Sequence, residues 1–207
     1  MNIAYFRNTK RSADEAVAAV KEGLKKRNMA VTGETKLPGG GVLIQFLDGK
    51  RTETILKEDR MLLGLVPMVV MVEEKDGAAS VGIMNPQLLS GTQAMEALEA
   101  TIAEMENDLK GLVNEAAGVG EPKIEKVKLY STATCPYCKM EKEYLEKNNV
   151  KFDLVMVDTD RKAAEEMIRR SGQTGVPQTE VIYDSGDFDL ILGFDKGRLN
   201  QLLSIGK

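Results

Sequence analysis

The stretch TATCPYCKM, residues 132–140, holds both cysteines of the 207-residue chain, Cys135 and Cys138. Two thiols three positions apart fit one turn of a helix. That spacing suits a thiol–disulfide couple, half of a metal site, or two small buried side chains. The chain has no histidine. Imidazole acid–base chemistry, Ser-His and Cys-His nucleophile pairs and most zinc and haem ligation are therefore excluded. What remains is thiols, carboxylates, lysines, tyrosines and the backbone.

The elements around the pair narrow the choice. IEKVKLY, residues 124–130, alternates like a strand, and CKMEKEYLEKNN, residues 138–149, reads as a helix. Cys135 then stands where a helix starts, beside unpaired amides and the positive end of the helix dipole. A thiolate is favoured there, and its pKa is expected below the roughly 8.5 of a free thiol. Pro136 suits the first turn, where its missing N–H is no loss. Cys138, one turn on, faces Cys135. Cys135 can attack a disulfide, and Cys138 can resolve the mixed disulfide that forms. Beyond the motif come a strand (150–158), a helix (160–172), two strands (178–184 and 188–194) around Ser185-Gly186-Asp187, and a last helix (195–206). The order β-α-β-α-β-β-α with CxxC after its first strand is a thioredoxin-like signature. TGVP, residues 174–177, falls between the second helix and the third strand.

YSTATCPYCKMEKEYL, SGQTGVPQTEV and GFDKGRL together resemble the small glutaredoxin-like proteins of bacteria and archaea, over essentially all of residues 126–205. The resemblance implies a thioredoxin fold with Cys135 as nucleophile and Cys138 as resolving thiol. It implies that Tyr137 borders the substrate and that Pro177 is cis, with Val176 offering its backbone to a substrate peptide. Gly193, Phe194 and Asp195 stand where the family binds the γ-glutamyl end of glutathione. Two departures are visible. Glutathione-specific members usually carry lysine three residues before the first cysteine, where this chain has Thr132. They tend to have Gly-Gly followed by paired polar or acidic residues, where this chain has GFDKG. Both resemble reductases fed by thioredoxin reductase. The implied electron donor is glutathione or a dithiol reductase, with no tightly bound cofactor. The implied substrate is a protein or small-molecule disulfide.

The chain is long for one domain and comfortable for two. NEAAGVGEPKIEK, residues 114–126, ends a helical pattern and contains Gly118, Gly120 and Pro122, so two domains are expected, 1–118 and 124–207. The overall class is α/β: a small α+β domain followed by the thioredoxin-fold domain. In the first half, Ser12 and Glu15 form a capping box ahead of Ala13, Ala16, Val17, Val20 and Leu24 on one helical face. Strands are expected at NIAYF, MAVTGETKL, VLIQFL, LVPMVVMVEE and AASVGIM, the last two joined at Asp76-Gly77, with a short polar helix near 51–59. A long helix from Ser90, capped with Gln93, carries Met95, Leu98, Ile102, Met105, Leu109 and Leu112 in a heptad seam. The seam suits packing on its own sheet or, more sharply, a homodimer contact. Six of the eleven methionines fall between residues 61 and 105, which reads as adaptable core rather than a copper site. The YF strand, EAVAAVKEGLKKRNMAV, LLGLVPMVVMVEEKDGAASVGIMNP and the long helix resemble the family called domain of unknown function 302. That family often carries Cys-Asn-Pro and Pro-Cys where this chain has IQFLDG and Pro67-Met68. The resemblance implies a small α/β domain that tends to dimerise.

The net charge is −4, with 43% apolar and 29% charged residues. A mildly acidic chain lacks the concentrated basic face that nucleic acid requires, and Lys25-Lys26-Arg27 reads as a solvated helix end. No secretory signal is recognisable, and the apolar run 61–72 is too short for a bilayer and contains Gly64 and Pro67. The expected setting is the cytoplasm, without membrane association, where a cysteine pair is catalytic or metal-binding more often than structural. The reading is a dithiol–disulfide oxidoreductase. Two alternatives differ in class: a regulatory protein whose CPYC pair switches the first domain, and a thiol carrier of a metal ion or cluster.

Overall fold

The computed structural model describes residues 4–58, 68–75, 78–86 and 98–206. The chain divides into two compact units between Glu121 and Pro122. The expected Ser90–Gln93 cap, Met61, Met95, Pro67 and the Asp76-Gly77 turn lie outside the described residues.

The first unit is one antiparallel sheet with helices on one face. Its strands are β1 (Ala4–Thr9), β2 (Ala30–Lys36), β3 (Val42–Leu47), β4 (Met68–Lys75) and β5 (Ala78–Met84). They pair in the order β1-β5-β4-β3-β2. The two-residue period is clean in β3, where Val42, Ile44 and Phe46 point into the core. Helix α1 (Ala13–Lys26) begins with the expected capping box: Glu15 N–H donates to the Ser12 hydroxyl, and Ser12 N–H donates to the Glu15 carboxylate at 2.8 Å. Ala16, Val17, Val20 and Leu24 are buried on its inner face. Helix α2 (Gly49–Glu58) follows β3 and buries Ile55. Helix α3 (Glu99–Ala117) ends at Gly118, whose φ of 69° is left-handed. The seam residues Met105, Leu109 and Leu112 lie in one cluster with α1 and the sheet. The seam therefore packs on its own sheet. Met105 is buried and Met68 packs against the same core, whereas Met84 is 60% exposed. Arg11, just ahead of α1, ties it to the end of α3 by donating to the carbonyls of Glu115 and Ala116 in its last turn.

The second unit is a four-stranded sheet in the order β7-β6-β8-β9. Its elements are β6 (Ile124–Ser131), α4 (Pro136–Lys147), β7 (Asp153–Met156), α5 (Arg161–Ser171), β8 (Gln178–Tyr183), β9 (Phe188–Leu192) and α6 (Lys196–Leu203). β6 and β7 are parallel, which needs the α4 crossover, and β8 runs antiparallel to β6 and β9. Leu129, Leu145, Ile191 and Leu199 form the core between the sheet and helices α4 and α6. On the other face α5 packs over β8. There the fully buried Glu180 accepts from Tyr130 Oη at 3.1 Å, pairs with Arg170, and lies 3.6 Å from Lys128 Nζ. Cations and a phenol thus surround this buried carboxylate and compensate its desolvation. Burial and that carboxylate together raise the Tyr130 pKa, which keeps its O–H a donor. Among the described residues no helix is long and apolar enough to cross a membrane.

Candidate active site

β6 delivers the chain to a loop whose shape is held from outside. Ala133 N–H donates to Asp158 Oδ2 at 2.9 Å, beyond the end of β7. The next turn starts α4 with Cys135 as its N-cap, in extended backbone at φ −78° and ψ 115°. Pro136 takes the first helical position. The Cys138 N–H donates to Cys135 Sγ at 3.0 Å, the place a serine or aspartate oxygen fills in an ordinary cap. Cys135 and Cys138 are joined as a disulfide with their Cα atoms 5.3 Å apart. Their exposure differs. Cys135 is partly open and Cys138 is 1% exposed. Tyr137 between them is 63% exposed.

The Val176–Pro177 peptide is cis. The Val176 carbonyl oxygen lies 3.8 Å from Cys135 Sγ, so the loop before β8 faces the couple. Gln178 shapes this loop: its side-chain amide donates to the carbonyls of Gln173 and Gly175 at 3.1 and 2.7 Å. Gly193 N–H donates to the Pro177 carbonyl at 2.9 Å, which attaches the end of β9 to the cis-proline turn. Gly193 itself has φ 73°, a conformation that favours glycine. Asp195 caps α6, accepting from Arg198 N–H at 2.9 Å. Phe194 turns toward Tyr144 in an edge-on ring pair, centroids 5.7 Å apart. Lys196 Nζ lies over both rings, at 5.6 and 5.4 Å. Cys135, Cys138, Val176 and Pro177 thus adjoin directly, and Gly193 joins them through the Pro177 carbonyl, with Phe194 and Asp195 next in the chain.

One residue at this site escaped sequence reasoning. Glu141 sits one turn beyond Cys138 on α4 and is fully buried. Its Oε1 accepts from the Thr179 hydroxyl, while Oε2 has no partner among the described residues. Burial pushes its pKa up to about 7, and the charge of Asp195 adds to the rise, against the opposing effect of the Thr179 bond. The signal available was spacing: Glu141 lies three residues after Cys138 and four before Leu145, on the buried stripe.

The Glutaredoxin family profile matches residues 127–182. An uncharacterized glutaredoxin-like 8.6 kDa protein in the rubredoxin operon of Clostridium pasteurianum is 43% identical over 77 residues, 37% of this chain and 96% of that protein. The chain belongs to the glutaredoxin family. Glutaredoxin 3 of Escherichia coli K12 is 38% identical over 79 residues, 95% of its own length. The glutaredoxin unit is thus a dithiol/disulfide module built on an active CPYC pair, consistent with glutaredoxin-type oxidoreductase activity. The rest of the chain has a different likeness. An uncharacterized conserved protein, DUF302, from Bacillus stearothermophilus superposes on 56% of this chain and 99% of its own, with TM-score 0.53 and 16% identity. That shows a shared fold. Among the described residues no group of three or more acidic or cysteine side chains converges as a metal site.

Proposed function

We propose that the protein reduces disulfides of proteins or small molecules by thiol–disulfide exchange in the cytoplasm, with Cys135 as the nucleophile and Cys138 as the resolving thiol. The observation that carries the assignment is the capping bond from Cys138 N–H to Cys135 Sγ at 3.0 Å, on a sulfur that is also the more open of the two. A backbone N–H and the helix dipole favour a negative sulfur over a neutral one. The Cys135 thiolate attacks the substrate disulfide, forming a mixed disulfide and releasing one substrate thiolate. Cys138, deprotonated, attacks Cys135 Sγ, closes the internal disulfide and releases the second thiolate. Two electrons leave the enzyme dithiol and reduce the substrate.

Tyr137, Val176, Pro177, Gly193, Phe194 and Asp195 form the groove. Val176 supports strand-like pairing with an extended peptide, because its carbonyl sits beside the reacting sulfur. The donor that regenerates the dithiol is a protein dithiol such as thioredoxin reductase in preference to glutathione. Thr132 offers no cation to a glycyl carboxylate. Lys196 adds a positive charge next to Asp195, opposing an incoming ammonium group. The first unit supplies substrate choice or self-association. The deciding experiment reduces the purified oxidised chain with glutathione plus its reductase, in parallel with thioredoxin reductase. Reduction by the second and slow reduction by the first is the expected result; rapid turnover with glutathione alone overturns the donor assignment. Failure of any disulfide substrate to turn over overturns the enzymatic reading.

A further inference from the structure

Resolution by Cys138 raises a proton problem that the capping geometry does not solve. Cys138 is 1% exposed and lies inside the helix, so the N-terminal amides that favour a thiolate at Cys135 are occupied by Cys135 itself. A buried thiol must lose its proton before it can attack, and burial disfavours the thiolate. Water does not reach it freely. A proton acceptor has to be inside the fold.

Glu141 is the group in position. It follows Cys138 by three residues on α4, a spacing that sets side chains on one helical face with Cβ atoms roughly 5–6 Å apart. It is completely buried. One carboxylate oxygen is held by Thr179 of β8, two residues beyond the cis-proline, and the other has no hydrogen-bond partner among the described residues. A buried carboxyl oxygen without a partner is energetically unfavourable, so a purely structural role at this position would be served better by leucine or glutamine. We propose that Glu141 is the proton acceptor for Cys138 during resolution, and the proton donor to Cys138 when the disulfide is reduced. This rests on the exchange reading above.

The bookkeeping balances without a further reactant. With Cys135 in a mixed disulfide, the Cys138 S–H proton passes to the Glu141 carboxylate. The Cys138 thiolate forms the bond to Cys135 Sγ, and the bond from Cys135 to the substrate sulfur breaks, releasing a thiolate that takes a proton from solvent. In the reverse half, a donor thiolate attacks Cys135 Sγ, Cys138 departs with the bonding pair, and Glu141 returns the proton to it. The direction of its pKa shift suits both halves, because a carboxyl that titrates at about 7 is available in either form at neutral pH. On α4, Cys138 and Tyr144 flank it at three residues on either side, and the helix also carries Lys139, Lys142 and Glu143. Cys135 and Cys138 share its helix. Asp195 and Lys196 begin α6, and Asp189 of β9 lies farther along the same sheet face, 3.6 Å from Arg198. β6 brings Leu129 and β8 brings Thr179 and Val181 to this side, none of them charged.

The test uses the full-length reduced protein and the aromatic disulfide dithionitrobenzoate, whose released thiolate is coloured. The first release reports attack by Cys135, and the second reports resolution by Cys138. In Glu141→Gln the ratio of second to first release rates at pH 7 is expected to fall about tenfold or more. In wild type the second-release rate rises with pH, bends near pH 7 and levels off until Cys138 itself ionises. In the variant it rises without the bend. An unchanged ratio in folded Glu141→Gln overturns the assignment. Should that variant fail to fold, the wild-type profile alone decides, since a second release with no bend between pH 6 and 8 also overturns it. Absence of any first release sinks the exchange reading, and this proposal with it.

Discussion

Cys135 and Cys138 have the same chemistry and opposite surroundings, and in the proposed mechanism those surroundings set their order of reaction. Cys135 Sγ accepts an amide and is partly open; Cys138 is enclosed. Cys135 is therefore expected to be alkylated first in the reduced protein, with a thiolate absorbance titrating well below roughly 8.5 in wild type and in Cys138→Ser. Faster modification of Cys138 would reverse the roles. Thr132 argues about the donor in the same way. Thr132→Lys restores a charge-assisted contact worth about 1.5–3 kcal/mol when well formed, so KM for glutathione should fall about tenfold. Steady-state kinetics at equal thiol concentration checks this, and an unchanged KM places the carboxylate contact elsewhere. Glu141 also predicts a stability profile. Its folded pKa of about 7 lies above the ordinary 4.5, so the folded chain holds this proton more tightly than the unfolded chain does. Its contribution is then fully present below about pH 4.5 and is lost as pH rises through 7, a loss on the order of 3 kcal/mol. Glu141→Gln should be stabilised relative to wild type at pH 8 more than at pH 5. Parallel thermal melts of the oxidised proteins, with no difference between the two pH values, would contradict the burial described here.

At the scale of elements, patterns that depend on near neighbours were readable. The Ser12 capping box, the strand at VLIQFL and the β-α-β-α-β-β-α order beyond Ile124 follow from local spacing, and all are present. Cys135 at a helix start followed from the same logic. What could not be read depends on partners far along the chain. Glu141 is buried on the face of α4 that meets β8, where Thr179, 38 residues away, donates to it. The seam of α3 had two readings because a heptad stripe looks alike against a sheet or against another helix; core contacts with α1 and β-strands decide it. Long-range pairing also explains Gly82. It faces Phe6 in the β1–β5 register, and a Cβ there would meet the Phe6 ring at 2.1 Å. Gly82→Ala should destabilise the first unit by about 1–3 kcal/mol. Chemical denaturation shows whether it does; a neutral result means the ring swings aside freely.

For the whole molecule, the described chain is two compact units meeting between Glu121 and Pro122, and we propose that they fold independently. Limited proteolysis is expected to cut within residues 117–123 and to leave two resistant fragments. Cuts only inside either unit would show that the boundary is wrong. The thiol inventory is just as simple. The 207 residues contain two cysteines, both in one disulfide, with no free thiol elsewhere. These two cysteines therefore store one pair of electrons at one address, with no third thiol in the sequence for scrambling. Under peroxide this becomes a safeguard. A sulfenic acid formed on the open Cys135 has Cys138 beside it, and condensation to the disulfide is reversible, whereas further oxidation to sulfinic acid is not. In the proposed mechanism the enclosed thiol that completes turnover would also keep the exposed one from permanent damage.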